Sequence, residues 1–306
     1  MRISYARAAG AAVAGLTVAH CLPALAAAPG GRGIFRTTRR VAGPGRVGLT
    51  FDDGPEAGAV DAFLETLREL DVTATFFVVG EQVRRSPDSA RRIVEAGHEI
   101  ACHGYRHLNH LRLTPPATIA DLRNARDTIT GETGTKLRHF RPPYGVFNAA
   151  SWRTAAKFGW ERVLWAQWGR DWEEDATPER IRQRVMSGLR EGDIILLHDA
   201  EAYSSSGSWR RTLGALEPIV SELRGLGLEP GPVGLVSPNG YPLTNGAAPE
   251  GAAPEGAAPE GAAPASTSVA AGSGEFVPNG AAPGHTTSNG GRSTRGGAHE
   301  GARPTS

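Results

Sequence analysis

Two adjacent carboxylates, Asp52 and Asp53, follow the run Arg46-Val47-Gly48-Leu49-Thr50-Phe51 and precede Gly54-Pro55. The run reads as a strand and the Gly-Pro pair as its turn, so both acids sit where strand becomes loop. Successive strand side chains point to opposite faces, which gives the two acids different jobs around one site. Held close, they raise one another's pKa unless something positive separates them. A metal ion is the simplest such partner. Alone, Asp-Asp-Gly is most simply an ordinary turn; the rest of the chain changes that reading.

His103 ends another apolar run and His107 follows at i+4. On a helical turn that spacing sets two imidazoles on one face. With Asp53 they make a two-nitrogen, one-oxygen set suited to Zn²⁺, or to Co²⁺ or another divalent ion, with positions left open for water and substrate. His110 is an alternative to one of the pair. Arg141 stands at a strand end beside Pro142-Pro143-Tyr144, where it can hold a carboxylate in a fixed orientation. Trp165, Trp168, Asp171 and Trp172 follow a fifth strand. His198 closes the apolar run Ile194-Ile195-Leu196-Leu197 and is delivered to the active end of a sheet. Cys102, in Glu99-Ile100-Ala101-Cys102, reads as a small core residue rather than a nucleophile.

The elements that must position these residues alternate along the chain. Strand-like runs fall at 46–51, 73–79, 98–103, 138–142, 162–168, 193–198 and, weakly, 228–236. Helical patterns fall at 58–70, 87–97, 115–131, 148–159, 178–190 and 212–226. Ala59, Phe63, Leu67 and Leu70 recur at helical spacing, and Thr177-Pro178 is an N-cap followed by Pro at the first helical position. This alternation predicts an α/β fold with a parallel sheet, open or closed as a barrel, whose C-terminal strand ends carry function.

In this order the motifs resemble those of the polysaccharide deacetylases of carbohydrate esterase family four, the NodB homology domain. They are Thr50-Phe51-Asp52-Asp53-Gly54-Pro55, His103-Gly104-Tyr105-Arg106-His107, Arg141-Pro142-Pro143-Tyr144, Asp171-Trp172 and Leu196-Leu197-His198. The resemblance covers 46–236 and implies a distorted (β/α) barrel of about seven parallel strands. It implies metal-dependent removal of acetyl groups from sugars. Asp53, His103 and His107 would hold the metal, Asp52 would be the general base and His198 the general acid. Arg141 would position Asp52, and Asp171 would orient His198. The Tyr144 backbone N–H would bind the oxyanion, and Trp172 and Leu196 would line the acetyl pocket. Two positions depart from the family pattern. Gly104 replaces the usual Ser or Thr, so the loop after His103 must be held otherwise. Trp168 stands where an acid often precedes the Asp-Trp pair.

The formal net charge of +1 over 306 residues gives no reason to expect nucleic acid as a partner. Residues 1–28 read as an export signal: Arg2 and Arg7, then an apolar stretch from Ala8 to Leu25, then small-residue cleavage sites. Cys21 also permits a lipoprotein reading, against which His20 is bulky where such sites want a small residue. Residues 29–44 read as a linker, 45–238 as the deacetylase domain, and 239–306, with repeated Gly-Ala-Ala-Pro-Glu, as a disordered tail. The expectation is a secreted or wall-associated monomer with no membrane partner after cleavage. Its partner is a polysaccharide, such as peptidoglycan or chitin oligomers, that carries N-acetylglucosamine. An O-acetyl esterase acting on acetylxylan and a non-catalytic sugar-binding domain are the alternatives.

Overall fold

The computed structural model describes residues 14–28, 31 and 34–234. The expected tail, 239–306, and the start of the expected export signal, 1–13, lie outside the described residues. The strands are β1 (Arg46–Asp52), β2 (Thr75–Val78), β3 (Glu99–Cys102), β4 (His139–Phe140), β5 (Glu161–Arg162), β6 (Gln167–Trp168), β7 (Ile194–His198) and β8 (Glu229–Gly231). The helices are α1 (Ala59–Glu69), α2 (Gly80–Arg85), α3 (Pro87–Glu95), α4 (Pro115–Thr133), α5 (Ala149–Lys157), α6 (Pro178–Met186) and α7 (Ser208–Gly225).

The sheet order is β5-β4-β3-β2-β1-β7-β6, with β8 also on β1, and every pairing of named strands is parallel. This is a curled, incompletely closed (β/α) barrel: the parallel sheet that the alternation predicts, in the distorted barrel form that the family resemblance implies. Strands buried on both faces read as continuous apolar runs, and β1, β2 and β7 are buried along almost their whole length. Phe51, Phe76 and Val78 face the larger core with Phe63 and Leu67 of α1, while Phe77, Ala101 and Ile194 fill the inside of the curl.

Local chemistry sets the helix starts. Thr177 accepts a hydrogen bond from the Arg180 N–H, with Pro178 in the first turn. Asn148 and Ser151 form a reciprocal capping box on α5. Gly134, at φ 67°, ends α4 in the left-handed conformation.

Three expectations change. The run 162–168 is two strands, not one: β5 pairs with β4 at one edge and β6 with β7 at the other. An apolar run alone does not show where a chain leaves one edge for another. The expected linker, 29–44, is in part structural. Thr38 bridges Val163, Arg40 bridges Asp193, and buried Val41 joins the inner cluster, so residues 38–41 lie across the gap between the sheet's edges. Ala26, within the expected signal, is buried, and its carbonyl accepts from Arg39 Nη2 at 2.8 Å. The third change concerns 103–107, which is a loop rather than a helical turn.

Candidate active site

Register brings the first groups together. β1 and β7 pair so that Asp52 lies opposite His198, both at strand ends. Cys102 pairs with Phe140, so His103 and Arg141 leave the sheet side by side. The His103 ring Nδ1 lies 2.9 Å from the Arg141 carbonyl oxygen. That contact makes Nδ1 the N–H donor and leaves Nε2 as an acceptor. The backbone turns out of the sheet at Asp53, whose φ is 84°.

Asp53, His103 and His107 each offer a ligand atom, and these atoms lie within 4.8 Å of one another. Nε2 of His107 is 3.3 Å and Nε2 of His103 is 3.5 Å from Asp53 Oδ1. That oxygen is buried and has no hydrogen-bond partner among the described residues. A buried acceptor of this kind is costly unless something fills its coordination. Burial, together with the neighbouring Arg141, lowers the pKa of His103 well below the ordinary histidine value. Burial, with His103 beside it, lowers that of His107 to about 3. Both imidazoles are therefore neutral, the form that binds a cation. Burial, opposed by His198 and reinforced by Asp52 and Asp171, raises Asp53 to about 7, so the site favours taking up positive charge. The donor set and its geometry thus fit a divalent ion. His110 is buried behind Phe140 and is not one of this cluster.

On one side of the cluster stands Asp52. Its Oδ1 accepts from Arg141 Nη1 at 2.5 Å, and the same nitrogen donates to Thr50 Oγ1 at 2.9 Å. Arg141 is fully buried, with its guanidinium 4.0 Å from the Phe77 ring centroid. A buried guanidinium in one pose fixes its carboxylate more sharply than a lysine would. Burial raises the Asp52 pKa, against the lowering effect of Arg141.

On the other side stands His198, whose Nε2 is 4.0 Å from Asp53 Oδ2. Its Nδ1 donates to Asp171 Oδ1 at 2.9 Å, and its backbone N–H donates to Asp171 Oδ2 at 2.7 Å. Thr212 of α7 donates to that same Oδ2, so three donors hold the buried carboxylate. Burial works against the charged imidazole, but Asp171, with Asp53 and Asp52, outweighs it and raises His198 to about 10. The rings of Trp172 and His198 lie edge to face, with centroids 5.3 Å apart. Leu196 lies two residues before His198 on the same strand and is buried. Tyr144 adopts φ 60° in a short turn whose internal hydrogen bonds come from Gly145 and Val146, and neither uses the Tyr144 N–H.

Four contributors escaped the sequence reading. Asp121 of α4 accepts from the Tyr105 N–H at 2.9 Å and from the Arg106 N–H at 3.3 Å. It ties down the loop between the two histidines, the task for which a hydroxyl is missing at Gly104. A Cβ on Gly104 would stand 3.3 Å from the same carboxylate, and φ there is 86°. The signal was an acid on the buried stripe Thr118, Leu122, Ala125, Ile129 of α4. Asp199 accepts from the Gly54 N–H at 3.1 Å and braces the Asp52-Asp53 turn. Thr212 supports Asp171, and Tyr203 stacks on His107 at 4.3 Å. No local pattern marks the last two, because each reaches the site from a loop or helix distant in sequence.

The polysaccharide deacetylase family model matches residues 39–163. A chitooligosaccharide deacetylase of a Bradyrhizobium species is 34% identical over 196 residues, which cover 62% of this chain and 89% of that protein. A peptidoglycan-N-acetylglucosamine deacetylase of Bacillus cereus is 33% identical over 180 residues, covering 58% of this chain and 81% of that one. A solved structure, a family 4 carbohydrate esterase from Streptomyces lividans in complex with acetate, is 34% identical with a TM-score of 0.56 and covers 66% of this chain and 98% of that one. Likeness over almost the full length of such proteins means that this chain belongs to the polysaccharide deacetylase family.

Proposed function

We propose that the enzyme removes N-acetyl groups from N-acetylglucosamine-containing polysaccharide, peptidoglycan or chitin oligomers, and releases acetate. One observation carries the reading. A braced carboxylate, Asp52 on Arg141, and a braced imidazole, His198 on Asp171, flank the Asp53-His103-His107 cluster. The names of the relatives support the substrate class.

Asp53, His103 and His107 would hold a divalent ion, with Zn²⁺ the best match to one carboxylate and two imidazoles. Such an ion supplies Lewis acidity toward the acetyl carbonyl and makes water a better nucleophile near neutral pH. Asp52 takes the proton of the attacking water; its Oδ1 is engaged by Arg141, so Oδ2 is the oxygen available. As the new C–O bond forms, the Tyr144 N–H donates to the oxygen that gains charge. His198, whose Nδ1 proton is committed to Asp171, carries its second proton on Nε2 and delivers it to the amine nitrogen. The C–N bond then breaks, leaving acetate and a free amino sugar. Without that proton the amine is a very poor leaving group. Trp172 and Leu196 line the acetyl pocket beside His198.

The setting we propose is secreted or associated with the cell wall. The composition of residues 1–28 supports export. Among the described residues no helix is long and apolar enough to cross a membrane.

The test is acetate release from chitin oligomers, peptidoglycan and acetylxylan, before and after chelation and with metal added back. Release from the two N-acetylated substrates, lost on chelation and restored by zinc, is expected. Release from acetylxylan alone would replace the amidase reading with an esterase one.

A further inference from the structure

Trp168 is the aromatic that the proposed mechanism leaves unused. It ends β6, level with Leu196 of β7 and hence near the strand end that carries His198. It is 41% exposed, although its ring meets Trp172 at 5.3 Å and Trp165 at 5.9 Å. Since Trp172 meets His198 edge-on, an unbroken aromatic surface runs outward from the acid side of the site.

The backbone beneath it has little freedom. The Gly169 N–H donates to the Leu196 carbonyl at 3.2 Å. A Cβ on Gly169 would lie 2.6 Å from Leu197 Cδ2 and 2.9 Å from Ile181 Cγ2, so the strand sits tight on β7 and α6. The Arg170 guanidinium lies 5.9 Å from the Trp168 ring and is paired with Glu173. The indole is therefore held in place before any ligand arrives, which lowers the ordering cost of binding.

A flat, neutral, half-exposed indole offers an apolar face and one N–H donor. A pyranose ring presents a matching face of C–H groups with hydroxyls at its rim. A carboxylate at this position would instead recognise hydroxyls or cationic groups. We propose that Trp168 is the platform for the sugar ring next to the one being deacetylated. The site is thereby specific for an oligomer of N-acetylglucosamine rather than a single sugar. This rests on the deacetylase reading above.

Two measurements test it on the full chain. The first is kcat/KM for acetate release from the pentamer and from the single sugar, N-acetylglucosamine. The second is calorimetric binding of the pentamer after chelation, when turnover cannot compete. Trp168→Ala should lower the pentamer-to-monomer ratio of kcat/KM about tenfold and weaken pentamer binding by a similar factor, the scale of one aromatic contact. Trp168→Phe keeps a platform and should recover most of both; thermal melting of each variant shows that it is folded. Equal losses on both substrates, or unchanged pentamer binding, would overturn the subsite. Should the wild type bind the pentamer through Trp168 yet release no acetate, the subsite stands and the deacetylase reading falls. If acetate is released but the length ratio ignores Trp168, the reverse holds. Absence of both binding and release overturns both.

Discussion

At the scale of single residues, the two braced pairs make separable demands. His198 donates its Nδ1 proton to Asp171 and touches no proposed ligand closer than 4.0 Å. His198→Ala should therefore cut kcat by about 10²–10⁴, the usual worth of a general acid. Bound metal should remain at the wild-type level, as elemental analysis would show. Asp53→Ala should behave differently, losing both the ion and turnover. The placement of Asp52, His103, Arg141 and His198 was legible in the sequence because each ends an apolar run, and a parallel sheet gathers such ends at one rim; the roles proposed for them came from the family resemblance. Asp121 and Thr212 were not legible. Each lies inside a helix among buried residues that include another polar side chain, Thr118 in α4 and Ser208 in α7, and apolar periodicity alone does not say which polar member reaches the site.

At the scale of elements, the loop 103–107 shows where pattern reading fails. The i+4 spacing of the histidines suits a helical turn, yet Gly104 at φ 86° takes the chain out of helix, and the rings converge through a loop instead. What holds that loop is α4, through Asp121. Supporting partners of metal ligands typically contribute 10–100-fold in affinity. Asp121→Ala should weaken zinc binding on that scale, with kcat largely restored at saturating zinc. Unchanged zinc affinity by calorimetry would remove α4 from the account. The 162–168 run teaches the same lesson. Only Val163 and Leu164 of that run are buried, and where the chain crosses from β5 to β6 it meets the Thr38 bridge made by a distant part of the chain.

At the scale of the whole molecule, the rim opposite the site carries its own polar clasp. Glu99 opens β3 and His139 opens β4, with Nδ1 of His139 2.6 Å from Glu99 Oε1 and Nε2 3.3 Å from Glu161 Oε2. Thr75 and the Gly234 N–H also donate to Glu99. Burial opposes the charged imidazole, but Glu99 and Glu161 outweigh it and raise His139 from 6.5 to about 9. The folded state thus holds this proton more tightly than the unfolded chain does. Its stabilising effect is complete below about pH 6.5 and is lost as pH rises through about 9. Glu99, held below its ordinary 4.5 by His139 and its hydrogen bonds despite burial, contributes above that value and is lost on acidification. The melting temperature of the wild type should therefore fall between about pH 6.5 and 9.5, and His139→Gln should flatten that part of the curve. An identical slope in both proteins would show that the clasp is not the cause.

The central claim is that three side chains, from two separate strand ends and one loop, form a single cation site on which turnover depends. Zinc titration of the metal-stripped protein by calorimetry tests this most directly. The account predicts one tight site per chain in the wild type and its loss in Asp53→Ala. Wild-type stoichiometry and affinity in Asp53→Ala would contradict it.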